Sequence, residues 1–229
     1  MEFVGIDKLS LLDYEDKISC VLFTKACNFR CPFCHNGLSV IESNTFIPFA
    51  DILDYLKMRK GVLDAVVISG GEPTLMPDLV DKIKAIRELG YEIKLDTNGT
   101  NPEIVEYLID NKLIEYVAMD IKNSLEMYAI TTGVKTVNLK NIQKTIHLLN
   151  ERDFPHEFRT TLVKEFHDDE KYIHGLGELI KGSKILYLQK FVDREGVFKK
   201  GLHPVDEDLA KRYQEILSKY VSKVELRGY

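Results

Sequence analysis

The 229-residue chain has no tryptophan, and nothing follows from that. Its other absences exclude more. Basic residues are not in excess: 31 Lys and Arg stand against 36 Asp and Glu, for a formal net charge of −5. Nucleic-acid binding rests on a basic footprint, so no general affinity for nucleic acid is expected and only a local basic groove stays open. No stretch approaches the roughly 18 consecutive apolar residues of a membrane helix, so no membrane association is expected. The first dozen residues carry acids early and no cleavage-site pattern, so no signal peptide is expected and the compartment expected is the cytoplasm. No segment is rich in Gly, Ser or Pro, and no repeat or low-complexity tract interrupts the chain. Residues 1–229 are therefore expected to form a single domain with one core.

What is present is an alternation of two periods. Short apolar runs predict strands over 17–23, 64–68, 91–95, 116–119, 157–163, 184–189 and 223–226. Helical spacing predicts helices over 49–58, 75–89, 101–111, 137–150, 168–181 and 206–219. Gly90 stops the second helix and Pro102 opens the third. Alternation of this kind implies βαβ units around a parallel sheet, either doubly wound or a partial barrel. Both place ligands at the carboxyl ends of the strands.

The motifs follow the strands. After the first comes Cys27-Asn-Phe-Arg-Cys31-Pro-Phe-Cys34-His35-Asn36. In a reducing compartment, three of four cysteines crowded into eight residues point to metal or redox chemistry rather than disulfides. Thiolates are the usual ligands of iron–sulfur clusters. Three of them on a four-iron cubane leave one iron open to a substrate. The plainer reading is structural zinc, with Cys20 or His35 as a fourth ligand. Cys20, inside an apolar strand, reads instead as a core thiol, and His35 as a neighbour that supports the site. After the second strand comes Ser69-Gly70-Gly71-Glu72-Pro73-Thr74. Paired glycines let backbone approach a ligand closely, and Glu72 offers an acceptor for an ammonium group. Asp96-Thr97-Asn98-Gly99 ends the third strand; Asn-Gly suits a turn, with Asp96 and Thr97 available for binding. Asp120 and Lys122 follow the fourth strand, either as ligand contacts or as a solvated pair.

The CxxxCxxC loop followed by GGEPT resembles the signature of the radical S-adenosylmethionine superfamily. With CHN after the last cysteine, LDTNG at 95–99 and MDIK at 119–122, the chain looks like a glycyl-radical-enzyme activase. It is most similar to the activating proteins of anaerobic ribonucleotide reductase, with pyruvate formate-lyase activases second. The resemblance implies a partial (β/α)6 barrel of the TIM-like radical SAM type. It implies a [4Fe–4S] cluster on Cys27, Cys31 and Cys34, with S-adenosyl-L-methionine chelating the open iron. By the same resemblance Gly70, Gly71 and Glu72 hold the amino group, Phe33 lies near the adenine, Asn36 lies near cluster and cofactor, and Lys122 reaches the ribose or carboxylate. Asp96 and Thr97 contact the cofactor and, with Asp120, ligate a monovalent cation. The implied reaction is reductive cleavage of the cofactor and removal of a hydrogen from a glycine Cα of a partner enzyme. A flavodoxin or ferredoxin is the implied electron donor. No general base is needed, which agrees with the absence of a Ser-His-Asp or paired-carboxylate site. The chain departs from formate-lyase activases in having Gln189 and Phe191 where many carry a cofactor-contacting histidine. Two other functions stay open: a radical enzyme acting on a small molecule, RNA or another peptide, and a zinc-stabilised binding module.

Overall fold

The computed structural model describes residues 3–229. Among them, eight strands form one sheet in the order β1 to β8. These are β1 (Phe3–Ser10), β2 (Ser19–Thr24), β3 (Ala65–Gly70), β4 (Glu92–Thr97), β5 (Tyr116–Asp120), β6 (His156–Leu162), β7 (Ile185–Lys190) and β8 (Lys223–Arg227). From β2 onward every pairing is parallel. The helices are α1 (Phe49–Met58), α2 (Leu79–Glu88), α3 (Pro102–Asp110), α4 (Tyr128–Thr132), α5 (Leu139–Glu151), α6 (Glu170–Leu179) and α7 (Glu207–Leu217). Each of β2 to β7 is followed by helix, giving the six expected β/α units. β1 and β8 end the order without pairing each other, so the barrel is partial.

Besides two short helical turns, at Gly37–Ile41 and Pro73–Leu75, two elements were not expected from the sequence. β1 is an edge strand, antiparallel to β2 from Phe3↔Thr24 to Ser10↔Ser19, with its middle exposed. Having little to bury, it shows no strong apolar run. α4 is five residues long and ends at Gly133 in the left-handed region (φ 67°), too short to display a period. The helix expected over 75–89 starts at Leu79. Pro77 supplies no backbone donor, and Pro73–Leu75 instead forms one 3₁₀ turn whose first donor is taken by Glu72. Side-chain caps mark three other starts: Asn138 for α5, Asp169 for α6 and Asp206 for α7.

Alternation along the strands sorts the side chains into two environments. Cys20, Leu22, Val66, Ile68, Leu95 and Val117 face the helices in the main core, each large apolar residue contributing about 1.5–3 kcal/mol by its burial. Cys20 is completely buried there, and burial pushes its thiol up to about 12, as expected of a core cysteine. The concave face holds a small apolar patch of Tyr14, Val21, Ala65 and Val67, and beside it charge. Lys94 and Glu157 are both buried and pair at 3.3 Å; the Lys94 ammonium also donates to the Asp13 carbonyl and lies over the Tyr14 and Tyr116 rings. A buried pair this well surrounded is tolerated because each charge keeps several partners.

Candidate active site at the carboxyl ends of the strands

One cavity of about 330 Å³ opens at the carboxyl ends of β2 to β7, within the range of small-molecule sites. Cys27, Cys31, Phe33, Cys34 and Asn36 line one wall; Gly70, Gly71, Asp96, Thr97, Asp120 and Lys122 line the rest. The motifs that follow four separate strands thus converge on one space.

The cysteine loop is fixed by its own backbone. Cys34 N–H donates to Cys31 O (3.0 Å), Gly37 N–H to Cys34 O (3.1 Å) and Arg30 N–H to Thr132 O (2.9 Å). The Arg30 guanidinium donates to the carbonyls of Cys27 and Phe29. Asn36 ties the loop to β3 through its Nδ2, which donates to Gly70 O at 2.9 Å. Phe33 is buried and packs on Phe166 with ring centroids 5.8 Å apart. His35 also reaches the cavity wall, its Nε2 3.1 Å from Val192 O and its ring stacked on Phe191.

The three cysteines of the loop are buried thiols that share one nearby positive charge. Burial pushes the Cys27 thiol up to about 11 and that of Cys31 to about 12, and raises Cys34 as well. The Lys122 ammonium opposes the rise at all three, so one positive charge serves three sulfurs. Metal-free, the thiols hold their protons, which metal binding displaces. Thiolates on one tetrahedral zinc stand roughly 4 Å apart. Among the described residues no three His, Cys, Asp or Glu side chains gather closely enough to hold one ion. Cys27, Cys31 and Cys34 share one cavity wall, and Cys20, a possible fourth zinc ligand, is buried in the core away from it.

The glycines and Glu72 make close contacts within the protein itself. A Cβ on Gly70 (φ 109°) would lie 2.4 Å from Thr24 N, and one on Gly71 2.1 Å from Ala26 O. The close approach is therefore to the chain leaving β2, with Gly71 N–H donating to Thr24 O and Glu72 N–H to Ala26 O. Glu72 is fully buried and absent from the cavity wall. Its Oε1 accepts from Thr74 N (3.1 Å), Thr74 Oγ1 (2.6 Å) and Thr97 Oγ1 (2.8 Å), and its Oε2 from Asn98 N (2.6 Å). Burial raises its pKa and these four donors oppose the rise. With a carboxylate's lone pairs so occupied, the side chain clamps the end of β3 to the end of β4.

A charged set lies opposite the cysteines. Asp120 Oδ1 accepts from Arg159 Nε (2.8 Å) and Oδ2 from Lys122 Nζ (3.0 Å). Burial alone would raise the Asp120 carboxyl, but Arg159 and Lys122 outweigh it and hold the group at about 2. Asp96 Oδ2 accepts from Ser69 Oγ (2.9 Å) and Arg159 Nη1 (3.2 Å), while its Oδ1 is buried without a partner. Arg159 on β6 and Asn98 after β4 both line the cavity, and the sequence reading gave neither a binding role. No motif spacing marks Arg159; its position two residues after Glu157 on an inward face was the available signal. Near the end of β7, Gln189 faces the cavity and Phe191 is buried beneath His35.

A parallel partial barrel with three cysteines on the wall of a cavity at its strand ends defines an α/β protein with a thiol-lined site. Residues 21–174 match the model of the Radical SAM superfamily, and the chain belongs to that superfamily. Membership implies a [4Fe–4S] cluster and S-adenosylmethionine. The chain is 36% identical, over 97% of its length and 94% of the relative's, to a protein of Methanocaldococcus jannaschii named as a glycyl-radical enzyme activating enzyme. A domain of a pyruvate-formate lyase-activating enzyme from Bacteroides vulgatus superposes with a TM-score of 0.58 at 26% identity, covering 72% of this chain and 99% of that one. A radical SAM methyltransferase from Sphaerobacter thermophilus shares the fold, with a TM-score of 0.72 at 13% identity over 96% of this chain and 69% of its own. Among the described residues no helix is long and apolar enough to cross a membrane.

Proposed function

We propose that this chain is a glycyl-radical-enzyme activase whose target is an anaerobic ribonucleotide reductase. The observation that carries the activase reading is likeness to the Methanocaldococcus jannaschii activating enzyme along almost the whole chain. The likeness to a formate-lyase activase domain supports the same class and makes that target the second reading. Gln189, where many formate-lyase activases carry histidine, favours the reductase.

In this reading residues 1–229 are one radical SAM domain acting in the cytoplasm, without nucleic acid. Cys27, Cys31 and Cys34 hold the cluster, and Lys122 balances the negative charge of their sulfurs. Gly70 and Gly71 present backbone to the methionyl end of the cofactor, while Glu72 holds that turn in place. Phe33, Asn36, Asp96 and Thr97 shape the remainder of the cofactor site. Held by these residues, cluster and cofactor would supply the one-electron chemistry needed to remove a hydrogen from a glycine Cα of the partner. The protein's own work is positioning and water exclusion. In this reading the side of the barrel left open between β1 and β8, which do not pair, receives a peptide loop of the partner. Arg30, Arg194 and Lys199 are exposed on or beside the cysteine loop and suit an acidic donor such as flavodoxin or ferredoxin.

The test is anaerobic reconstitution, reduction and incubation with S-adenosylmethionine and each candidate partner. The expected result is an EPR glycyl-radical doublet on the reductase, with 5′-deoxyadenosine formed in proportion. A doublet on formate-lyase alone moves the target to the second reading. Cleavage of the cofactor with neither partner forming a radical would overturn the activase reading.

A further inference from the structure

The two carboxylates expected to ligate a monovalent cation, Asp96 and Asp120, stand on neighbouring strands with a cation already between them. Asp120 and Arg159 are register partners across β5 and β6. The Arg159 side chain, 14% exposed, donates through Nε to Asp120 and through Nη1 to Asp96. Glu157 Oε1 lies 3.9 Å from the same Nη1. Lys122 takes the second oxygen of Asp120. Two carboxylates facing two cations are neutral together. A metal ion added there would bring excess positive charge and would find only Asp96 Oδ1 without a partner. Hard cations need several oxygens at once, and these oxygens are occupied. A guanidinium, in contrast, is planar, forks between two acceptors and stays charged at every working pH.

We infer that Arg159 is the resident cation of this site, replacing the metal ion expected there, so that cofactor binding by this chain is independent of monovalent cations. The inference rests on the reading that the cavity binds S-adenosylmethionine. Arg159 is thus a positioning residue: it fixes Asp96 and Asp120 for the cofactor.

Calorimetric titration of S-adenosylmethionine into the reconstituted protein tests this in KCl, NaCl and choline chloride at equal ionic strength. The wild-type affinity should agree among the three salts to within about twofold. Arg159→Gln removes the charge and should bind about tenfold more weakly in choline, with part of the loss restored by KCl or NaCl as the metal enters the vacated place. Arg159→Lys should stay near wild type and indifferent to the salt. A wild-type affinity that falls about tenfold in choline relative to KCl would overturn the inference without any variant. So would an Arg159→Gln protein that matches wild type in choline. Absence of binding in every salt would instead refute the cofactor reading on which the inference stands.

Discussion

Replacing Glu72 separates a clamp from a ligand contact. The carboxylate is completely buried and holds four donors, two of them backbone N–H groups, of Thr74 and Asn98. In Glu72→Ala the Thr74 and Thr97 hydroxyls can rotate to new acceptors, but the two N–H groups cannot. Each buried donor left without a partner costs about 1–3 kcal/mol, so the loss is about 4 kcal/mol. For a chain of this length that lowers Tm by about 10 °C. Glu72→Gln keeps Oε1 as an acceptor and turns an NH₂ toward the Asn98 N–H, so only one donor is orphaned, for about 1–3 kcal/mol. The order of stability is then wild type, Gln, Ala. Thermal unfolding followed by far-UV circular dichroism, on reconstituted protein without S-adenosylmethionine, measures it directly. If Glu72 served only as an acceptor for the cofactor's ammonium group, both variants would melt with wild type and lose cofactor affinity alone. That pattern would refute the clamp.

The four cysteines should divide three to one. Ala at Cys27, Cys31 or Cys34 should abolish iron retention after reconstitution, whereas Cys20→Ala should keep full iron content and lose about 1 kcal/mol of stability from its core position; iron lost from the Cys20 variant would contradict its placement in the main core. Asp120 should reveal itself through pH. Its carboxyl is held at about 2 in the folded chain, so its charge stabilises the fold above about pH 4, and that contribution disappears as pH falls toward 2. The difference from an ordinary aspartate corresponds to about 2.5 kcal/mol, reduced to about 1–2 kcal/mol by solvent screening of a side chain 31% exposed. Urea unfolding of Asp120→Asn should show that deficit at pH 6 and a shrinking one below pH 4; a deficit that does not change with pH would remove the ion pairs as its cause.

Much of the molecule was determined by the sequence alone. Seven parallel strands and six of the helices announce themselves because buried strands need unbroken apolar runs, as in Ala65–Gly70, and amphipathic helices need a repeating face. The cysteine loop is legible because its three thiols fall within eight residues of one segment. The rule that parallel strands carry ligands at their carboxyl ends then located Gly70, Gly71, Asp96, Thr97, Asp120 and Lys122, all of which line the cavity. Tertiary structure decided the rest. The edge strand β1 forms on the template of β2, and its own residues bury too little to predict it. Glu72 sits in the most recognisable motif of the chain, yet its carboxylate turns inward because Thr97 and Asn98, about 25 residues on, bring donors to it. Arg159 lies 63 residues from Asp96 and 39 from Asp120. A short motif can encode what one loop must do by itself, but a charge balance shared by three strands exists only once the sheet has placed them side by side.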